Sequence, residues 1–477
     1  MLTGLSCLKH GAMKKQTRYT VLPVELIDKI ETLELPGKQK HKAIKLFNIM
    51  LNRANRDSLL MTEYIELPKN YMRKVFGNYH PWFRKLKEQN VIETNDSYKV
   101  GSYSKSYRIN PDLLGRNFKG CNYQVEKLHI CGTLSLKPLV IEDLKALKVN
   151  RENLIQLTEH HAESIQLSDF KINRQIDNDF FEVVDRKYGT KRMTTLERAI
   201  EVAVARGMVV IKDRNKYYMD YADNFIREKK RAVRFHYMKA INKLHKGIYY
   251  VHRNQTNNRL DTNLTNLCEV LTEQIMEDNG LCSLDLSNSQ FTIFCHLYEQ
   301  AGNEKTLDFI RFKKLATSGE LYDEVKDLLE LDTRRDAKSI MFELFFSSHR
   351  YNPRRKKELR KYFSTVVSFI DEYKKENGDN TFSIELQKHE AVMFIDDIYQ
   401  RIKAEGLFCL TKHDSVIVRR TDRLRAKQII ENYFNELEFQ GSLKVEYEEP
   451  KWIVKLREQL AELNYEDRIF LLNSMAA

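Results

Sequence analysis

Three short segments constrain what this chain can fold into more than any other feature. They are Leu284-Asp285-Leu286-Ser287-Asn288-Ser289-Gln290-Phe291, Arg334-Arg335-Asp336-Ala337-Lys338-Ser339-Ile340-Met341-Phe342 and Lys412-His413-Asp414-Ser415-Val416-Ile417-Val418. The first and third each set an aspartate beside a short apolar run, the mark of a strand that ends at a carboxylate. A strand end is rigid while the loop beyond it stays open, so two such ends can hold divalent cations between them. In the middle segment Arg334, Lys338, Phe342 and Phe346 recur every four residues, which puts them on one face of a helix. Two cations on that face can grip a polyphosphate, and the two rings continue it as an apolar surface.

The local patterns agree. Cys282 to Leu286 reads as a strand and Phe291 to Gln300 as a helix. Leu407 to Leu410 and Ser415 to Val418 flank Lys412-His413-Asp414, the expected shape of a hairpin whose turn carries the second aspartate. Each residue has a bland reading. Asp is a favoured turn residue, and a basic helix face is usually only solvated. The combination of two strand-end carboxylates with a cationic helix outweighs both.

These residues resemble family A DNA polymerases. Asp285-x-Ser287 with Gln290 resembles motif A, Arg334-x-x-x-Lys338 with Phe342 and Phe346 resembles the fingers helix of motif B, and His413-Asp414-Ser415 resembles motif C. Two further matches fall in order. Thr256-x-x-Arg259-Leu260 followed by Asn263 and Asn266 resembles the segment that grips the template-primer duplex, and Gln387 resembles the Gln that reaches the nascent base pair. The resemblance covers roughly residues 225 to 450. It implies a right-hand polymerase of palm, fingers and thumb, with Asp285, Asp414 and the carbonyl of Leu286 as ligands of two Mg²⁺ ions, Mn²⁺ being an alternative. It further implies that Arg334, Lys338, Phe342, Phe346 and Gln290 meet the incoming nucleotide, Gln290 near the sugar 2′-position. Thr256, Arg259, Asn263, Asn266, Gln387 and His413 would meet the DNA.

Charge and composition fit a polyanion partner. The 477 residues carry 79 Lys and Arg against 67 Asp and Glu, a net +12, enough for non-specific attraction to nucleic acid. Residues 227–246 hold eight Lys or Arg against one Glu, and residues 350–361 hold seven against one. Phe235, Tyr237, Tyr351 and Tyr362 lie in or beside these runs, which favours a nucleic-acid groove over a solvated face. The seven cysteines show no metal-ligand spacing, and no segment is apolar enough for a signal peptide or a membrane span. The expectation is a reduced, cytoplasmic protein without a membrane partner.

Ahead of the polymerase-like region, residues 1–20 read as loose. Lys38 to Arg56 has helical spacing, and a helix from Pro68 to Phe76, a turn at Gly77-Asn78 and a helix from His80 to Gln89 follow. Val91 to Thr94 and Tyr98 to Ile109 then read as a β-pair. This order is that of a winged helix across 21–115, with Arg84, Lys85 and Lys87 on the recognition helix. Residues 116–280 read as connecting and thumb-like, with Leu139 to Leu147 and Thr194 to Arg206 helical and Val209 to Asp213 a strand. Residues 281–477 would be palm and fingers. Tyr218-Met219-Asp220-Tyr221 echoes the Tyr-x-Asp-Asp of reverse transcriptases, but Tyr221 stands where the second carboxylate is needed, which rules that reading out.

The expected fold class is therefore α+β, a family A type right hand with an N-terminal winged helix. Several departures shape the expected activity. Only 76 residues separate Lys338 from Asp414, so the fingers are pared down, and no Asp-x-Glu proofreading signature occurs. Glu343 and Phe346-Ser347 replace the usual Gly and Tyr-Gly, and Ser415 replaces the Glu of DNA polymerases, as in phage-type RNA polymerases. A compact polymerase behind a winged helix is similar to the primase-polymerases of staphylococcal cassette chromosome and other mobile elements. The leading expectation is a template-dependent DNA polymerase with primase activity, using DNA template, primer and dNTPs. Use of rNTPs, and a small accessory protein or helicase as a further partner, are left open. A single-subunit RNA polymerase or RNA primase, and an inactive DNA-binding replication initiator, are the alternatives.

Overall fold

The computed structural model describes residues 14–56, 61–95, 104–127, 135–165, 180–185, 190–195, 214–303, 305–351, 353–447, 449 and 454. The protein is α+β, with helices predominating and every strand pairing among the described residues antiparallel. Its contacts divide it into two units, Met1–Gly132 with Arg151–Lys246, and Thr133–Asn150 with Gly247–Ala477. The region 116–280 is thus shared between them.

In the first unit, strand β1 (Lys14–Pro23) pairs over its whole length with β5 (Phe118–Lys127). Residues 14–20, expected to be loose, belong to this ladder, while residues 1–13 lie outside the described residues. The ladder pairs the backbone groups of β1 that face β5, and its residues Thr20, Val21 and Leu22 are buried. The helix Gly37–Arg56 buries Ala43, Leu46, Phe47, Met50, Leu51 and Ala54, one stripe at helical spacing. A short strand β2 (Ile65–Glu66) follows, then the helices Lys69–Phe76 and His80–Glu88, joined through Gly77, whose φ of +66° suits glycine. Strands β3 (Ile92–Asn95) and β4 (Ser106–Ile109) complete a three-stranded sheet of order β2-β4-β3. The helices expected within 38–109 are present. Of the expected strand pair, β3 and the end of the second strand at 106–109 are present, residues 104–105 are not strand, and residues 96–103 lie outside the described residues; β2 is the added element.

The helix His80–Glu88 turns Trp82, Phe83 and Leu86 into the core and leaves Arg84, Lys85 and Lys87 exposed. The 32-residue helix Arg214–His245 carries the 227–246 run and the Tyr218–Tyr221 segment. Its inner face is not a nucleic-acid groove. Phe235 is fully buried against Phe118, with ring centroids 5.7 Å apart, and Lys239 donates to Asn48 and Asn52 at 3.1 and 2.7 Å. Strands β6 (Phe180–Asp185) and β7 (Thr190–Thr195) form a separate pair. Thr194 and Thr195, expected to start a helix, are strand residues because they complete this ladder. Residues 196–206 and 209–213 lie outside the described residues.

The second unit is built on a four-stranded antiparallel sheet of order β11-β12-β10-β13. Its strands are β10 (Leu281–Leu286), β11 (Leu410–Lys412), β12 (Ser415–Arg419) and β13 (Leu443–Glu446). A hairpin of β8 (Val251–Arg253) and β9 (Leu260–Thr262) precedes it. Helices Ser289–Gln300, Arg334–Phe346 and Thr381–Ala391 share an aromatic core in which Phe291 meets Phe345 at 4.3 Å and Phe294 meets Phe382 at 5.8 Å. Burying each such ring contributes roughly 2–3 kcal/mol, so this cluster fixes the helices relative to the sheet. Among the described residues, no helix is long and apolar enough to cross a membrane.

Candidate active site

The antiparallel register places the two aspartates. Asp285 is the penultimate residue of β10 and lies opposite Ser415 on β12. Asp414 occupies the two-residue turn between β11 and β12, and its carbonyl accepts the N–H of Leu286 at 3.1 Å. The turn is tight enough to hold His413 at a φ of +59°, a left-handed conformation that non-glycine residues adopt at a cost. Beyond Asp285 the chain reverses through Asn288, φ +50°, into the helix Ser289–Gln300, and Asp285, the buried Leu286 and the buried Gln290 line one cleft.

The helix Arg334–Phe346 begins with a cap written in its sequence. Thr333 accepts the Asp336 N–H at 3.2 Å and donates its hydroxyl to the Asp336 carboxylate at 2.7 Å. Ala337, Ile340, Met341, Leu344 and Phe345 are buried, so the opposite row of Arg334, Lys338, Phe342 and Phe346 faces outward. Arg334 packs over Tyr322 at 5.1 Å and bonds Asp323 at 3.2 Å. Phe342 and Phe346 are stacked 5.4 Å apart. At the far end the buried Lys374 donates to the carbonyls of Leu344 and Ser347 at 2.7 and 2.8 Å, satisfying groups the helix leaves unpaired.

One cleft of about 590 Å³ brings these parts together. Asp285, Leu286, Gln290, Arg334, Lys338, Phe342 and Asp414 all border it. Phe346 is exposed one turn further along the helix. Tyr322 and Lys444 also line the cleft, and neither was singled out by the sequence.

Electrostatics in the cleft disfavour bare carboxylates. Burial, then the neighbouring Glu446, push Asp285 up to about 6, against the hydrogen bonds of Ser283 and Ser415. Burial, then Glu390, then Asp285 push Asp414 up to about 7. Glu446 is held below its usual range: burial opposes this, and Lys444 and the hydrogen bond from Asp285 outweigh it. The proton shared by that pair therefore stays on Asp285. A cation between these two carboxyls would offset the burial that raises both and the repulsion from Glu446 and Glu390. Among the described residues no cluster of three or more His, Cys, Asp or Glu side chains placed to hold a metal ion occurs.

A buried glutamate organises the floor behind them. Glu390, 1% exposed, takes Nε and Nη2 of Arg259 at 2.9 and 2.6 Å on one oxygen. Its other oxygen takes Ser289 at 3.0 Å and the Nε2 of Gln290. A carboxylate only accepts, so the Gln290 amide is fixed with its oxygen turned away; that oxygen is buried and without a partner. Burial, then Arg259, push His413 below its usual range, which favours the neutral imidazole.

The remaining expected DNA contacts are dispersed. Thr256 is exposed on the β8–β9 hairpin. Asn263 is 5% exposed, and its amide bonds the backbone at Ile248 and Tyr250, so it shapes the loop. The amide of Asn266 donates to the Thr262 carbonyl at 3.0 Å. Gln387 accepts Asn257 at 3.0 Å, one turn before Glu390, and a π-helical turn, Val392–Ile398, follows directly. Arg84, Lys85 and Lys87 belong to the first unit. No protein-family model matches the chain, and no curated protein matches it in sequence.

Proposed function

We propose that this protein is a template-dependent DNA polymerase, a nucleotidyltransferase that starts as well as extends strands. The observation that carries this reading is the shared cleft. A strand-end carboxylate, a carboxylate in the neighbouring hairpin turn and two cations of one helix line it together, although Asp285, Lys338 and Asp414 are far apart in sequence. In this reading the sheet is the palm, the helix Arg334–Phe346 belongs to the fingers, and the helices and wing within 37–109 form a winged helix that meets duplex DNA through Arg84, Lys85 and Lys87.

Asp285 and Asp414, with the Leu286 carbonyl, would hold two Mg²⁺ ions. When bound, such ions lower the pKa of a primer 3′-hydroxyl and neutralise a departing pyrophosphate. The protein's own residues provide the rest. Arg334 and Lys338 grip the triphosphate near the positive end of their helix. Phe342 offers a surface to base and sugar, and Gln290, immobilised by Glu390, crowds the sugar 2′-side. Arg259 would contact the duplex backbone or minor groove, and His413 the primer end. The compact chain suits replication of a mobile element or plasmid, with a small accessory protein or helicase as partner.

The test is nucleotide incorporation on primed and unprimed single-stranded templates, with dNTPs and rNTPs supplied separately. Incorporation of dNTPs that Asp285→Ala reduces about a thousandfold or more, with DNA binding retained, is the expected result. No incorporation by the wild type under any combination would leave a DNA-binding initiator. Strict dependence on rNTPs would make it an RNA polymerase or RNA primase.

A further inference from the structure

The helix Arg214–His245 has a second face. Arg227, Lys230, Arg231 and Arg234 follow helical spacing, and with Arg116, ahead of β5, and Glu163, near the end of the helix Arg151–Ser164, they line a pocket of about 280 Å³ in the first unit. Carboxylates meet part of this charge. Lys230 pairs with Glu163 at 2.8 Å, Arg234 with Glu159 at 2.8 Å and also with Glu163, and Arg231 with Glu228. Five cations against Glu159, Glu163, Glu228 and the nearby buried Glu63 leave a surplus of one positive charge.

Two donors show where that surplus is unmet. Arg116 is exposed and makes no hydrogen bond or ion pair with any described residue. The Nε of Arg231 is buried without an acceptor. A buried N–H left unpaired costs about 1–3 kcal/mol; Oε2 of Glu228 is buried without a donor as well, so the Arg231–Glu228 pair leaves one donor and one acceptor unmet. A solvated salt-bridge network accounts for Lys230 and Arg234. It does not account for an unpartnered guanidinium nitrogen next to an unpaired arginine. The volume admits a phosphate group and is at the small end for a whole nucleotide.

We propose that this pocket binds a phosphate group through Arg116, Lys230 and Arg231, independently of the cleft in the second unit. The phosphate belongs either to a DNA backbone or to a free nucleotide, and the two are separable. The full chain would be titrated calorimetrically with pyrophosphate and with ATP, and a short DNA duplex titrated across a salt series. Arg116→Ala and Arg231→Gln are compared with the wild type. Lys338→Ala serves to subtract anion held in the cleft.

Losing one charge-assisted contact should weaken binding about tenfold. If the source is free nucleotide, pyrophosphate and ATP weaken while duplex binding is unchanged. If it is DNA, duplex affinity falls and its salt slope drops by about one. Arg116 is exposed, so Arg116→Ala carries the test even where Arg231→Gln does not fold. Equal affinity of wild type and Arg116→Ala for pyrophosphate, ATP and duplex at every salt concentration would overturn the proposal.

Discussion

Asp414→Asn should make the protein more stable while removing the proposed nucleotide incorporation. Asp414 has an ordinary pKa of 3.8 and is pushed up to about 7 in the fold, by burial first, then Glu390 and Asp285. Keeping it ionised at pH 8 therefore costs roughly 4 kcal/mol, which we discount to about 2 kcal/mol because the side chain is partly open to solvent. The sign follows from linkage. The unfolded carboxyl loses its proton near pH 4 and the folded one near pH 7, so stability is lost as pH rises between them and the penalty is constant above. Asparagine has the same shape and no charge, so it removes the penalty at pH 8 and changes little near pH 4. In a unit of this size about 2 kcal/mol corresponds to a rise in Tm of about 4–8 °C. The assay is thermal unfolding of wild type and variant from pH 4 to 8, with and without millimolar Mg²⁺. Mg²⁺ should raise the wild-type Tm and move the variant less, since a ligand stabilises only the state that binds it. A variant no more stable than wild type at pH 8, or a gain independent of pH, would refute the argument that the site strains its own carboxylates.

Lys338→Ala should raise the nucleotide concentration needed for half-maximal rate and slow turnover, with DNA affinity unchanged in a binding titration; collapse of DNA binding instead would remove the helix from the nucleotide site. Replacing Arg84, Lys85 and Lys87 together with alanine should weaken duplex binding and reduce its salt slope by up to about three, while extension of an annealed primer persists. Deleting residues 1–110 is the poorer experiment, because it removes β1 from β5 and the helix Gly37–Arg56 from the core around Phe235. Gln290→Gly should increase the share of ribonucleotide incorporated, roughly ten- to a few-hundredfold at most, as read by alkaline cleavage of the product; an unchanged share would show that Gln290 does not border the sugar.

What the sequence made legible follows from periodicity and order. The row Arg334, Lys338, Phe342, Phe346 is visible because a helix repeats its faces, and the buried set Ala337, Ile340, Met341, Leu344, Phe345 is its complement. The strand at Cys282–Leu286 and the hairpin around Asp414 were legible from apolar runs broken at a carboxylate. The strand character of residues 14–20 was not, since Lys14 to Thr20 is polar and its partner β5 lies about a hundred residues away. Nor could a charge count tell the two faces of residues 227–246 apart. Phe235 and Lys239 are core because β5 and the helix Gly37–Arg56 cover them.

Glu390 shows most clearly what such reading misses. In sequence it is one acidic residue among Lys388, His389 and Ala391, and an acid on a helix is ordinarily solvated. Only the fold brings Arg259, Ser289 and Gln290 to it from segments a hundred or more residues away, and only their four donors make its burial tolerable. Glu446 escapes notice for a related reason: it acts on Asp285 through the pairing of β13 with β10. The residues that carry charge to a ligand must be exposed on regular elements, so their spacing betrays them. Those that set the charge state and orientation of the first group, the buried Glu390 and the half-exposed Glu446, are recruited across the sheet and helix core and obey no period. Expectations of chemistry could therefore rest on the sequence, whereas the raised pKa of Asp414 and the fixed amide of Gln290 required the packed structure.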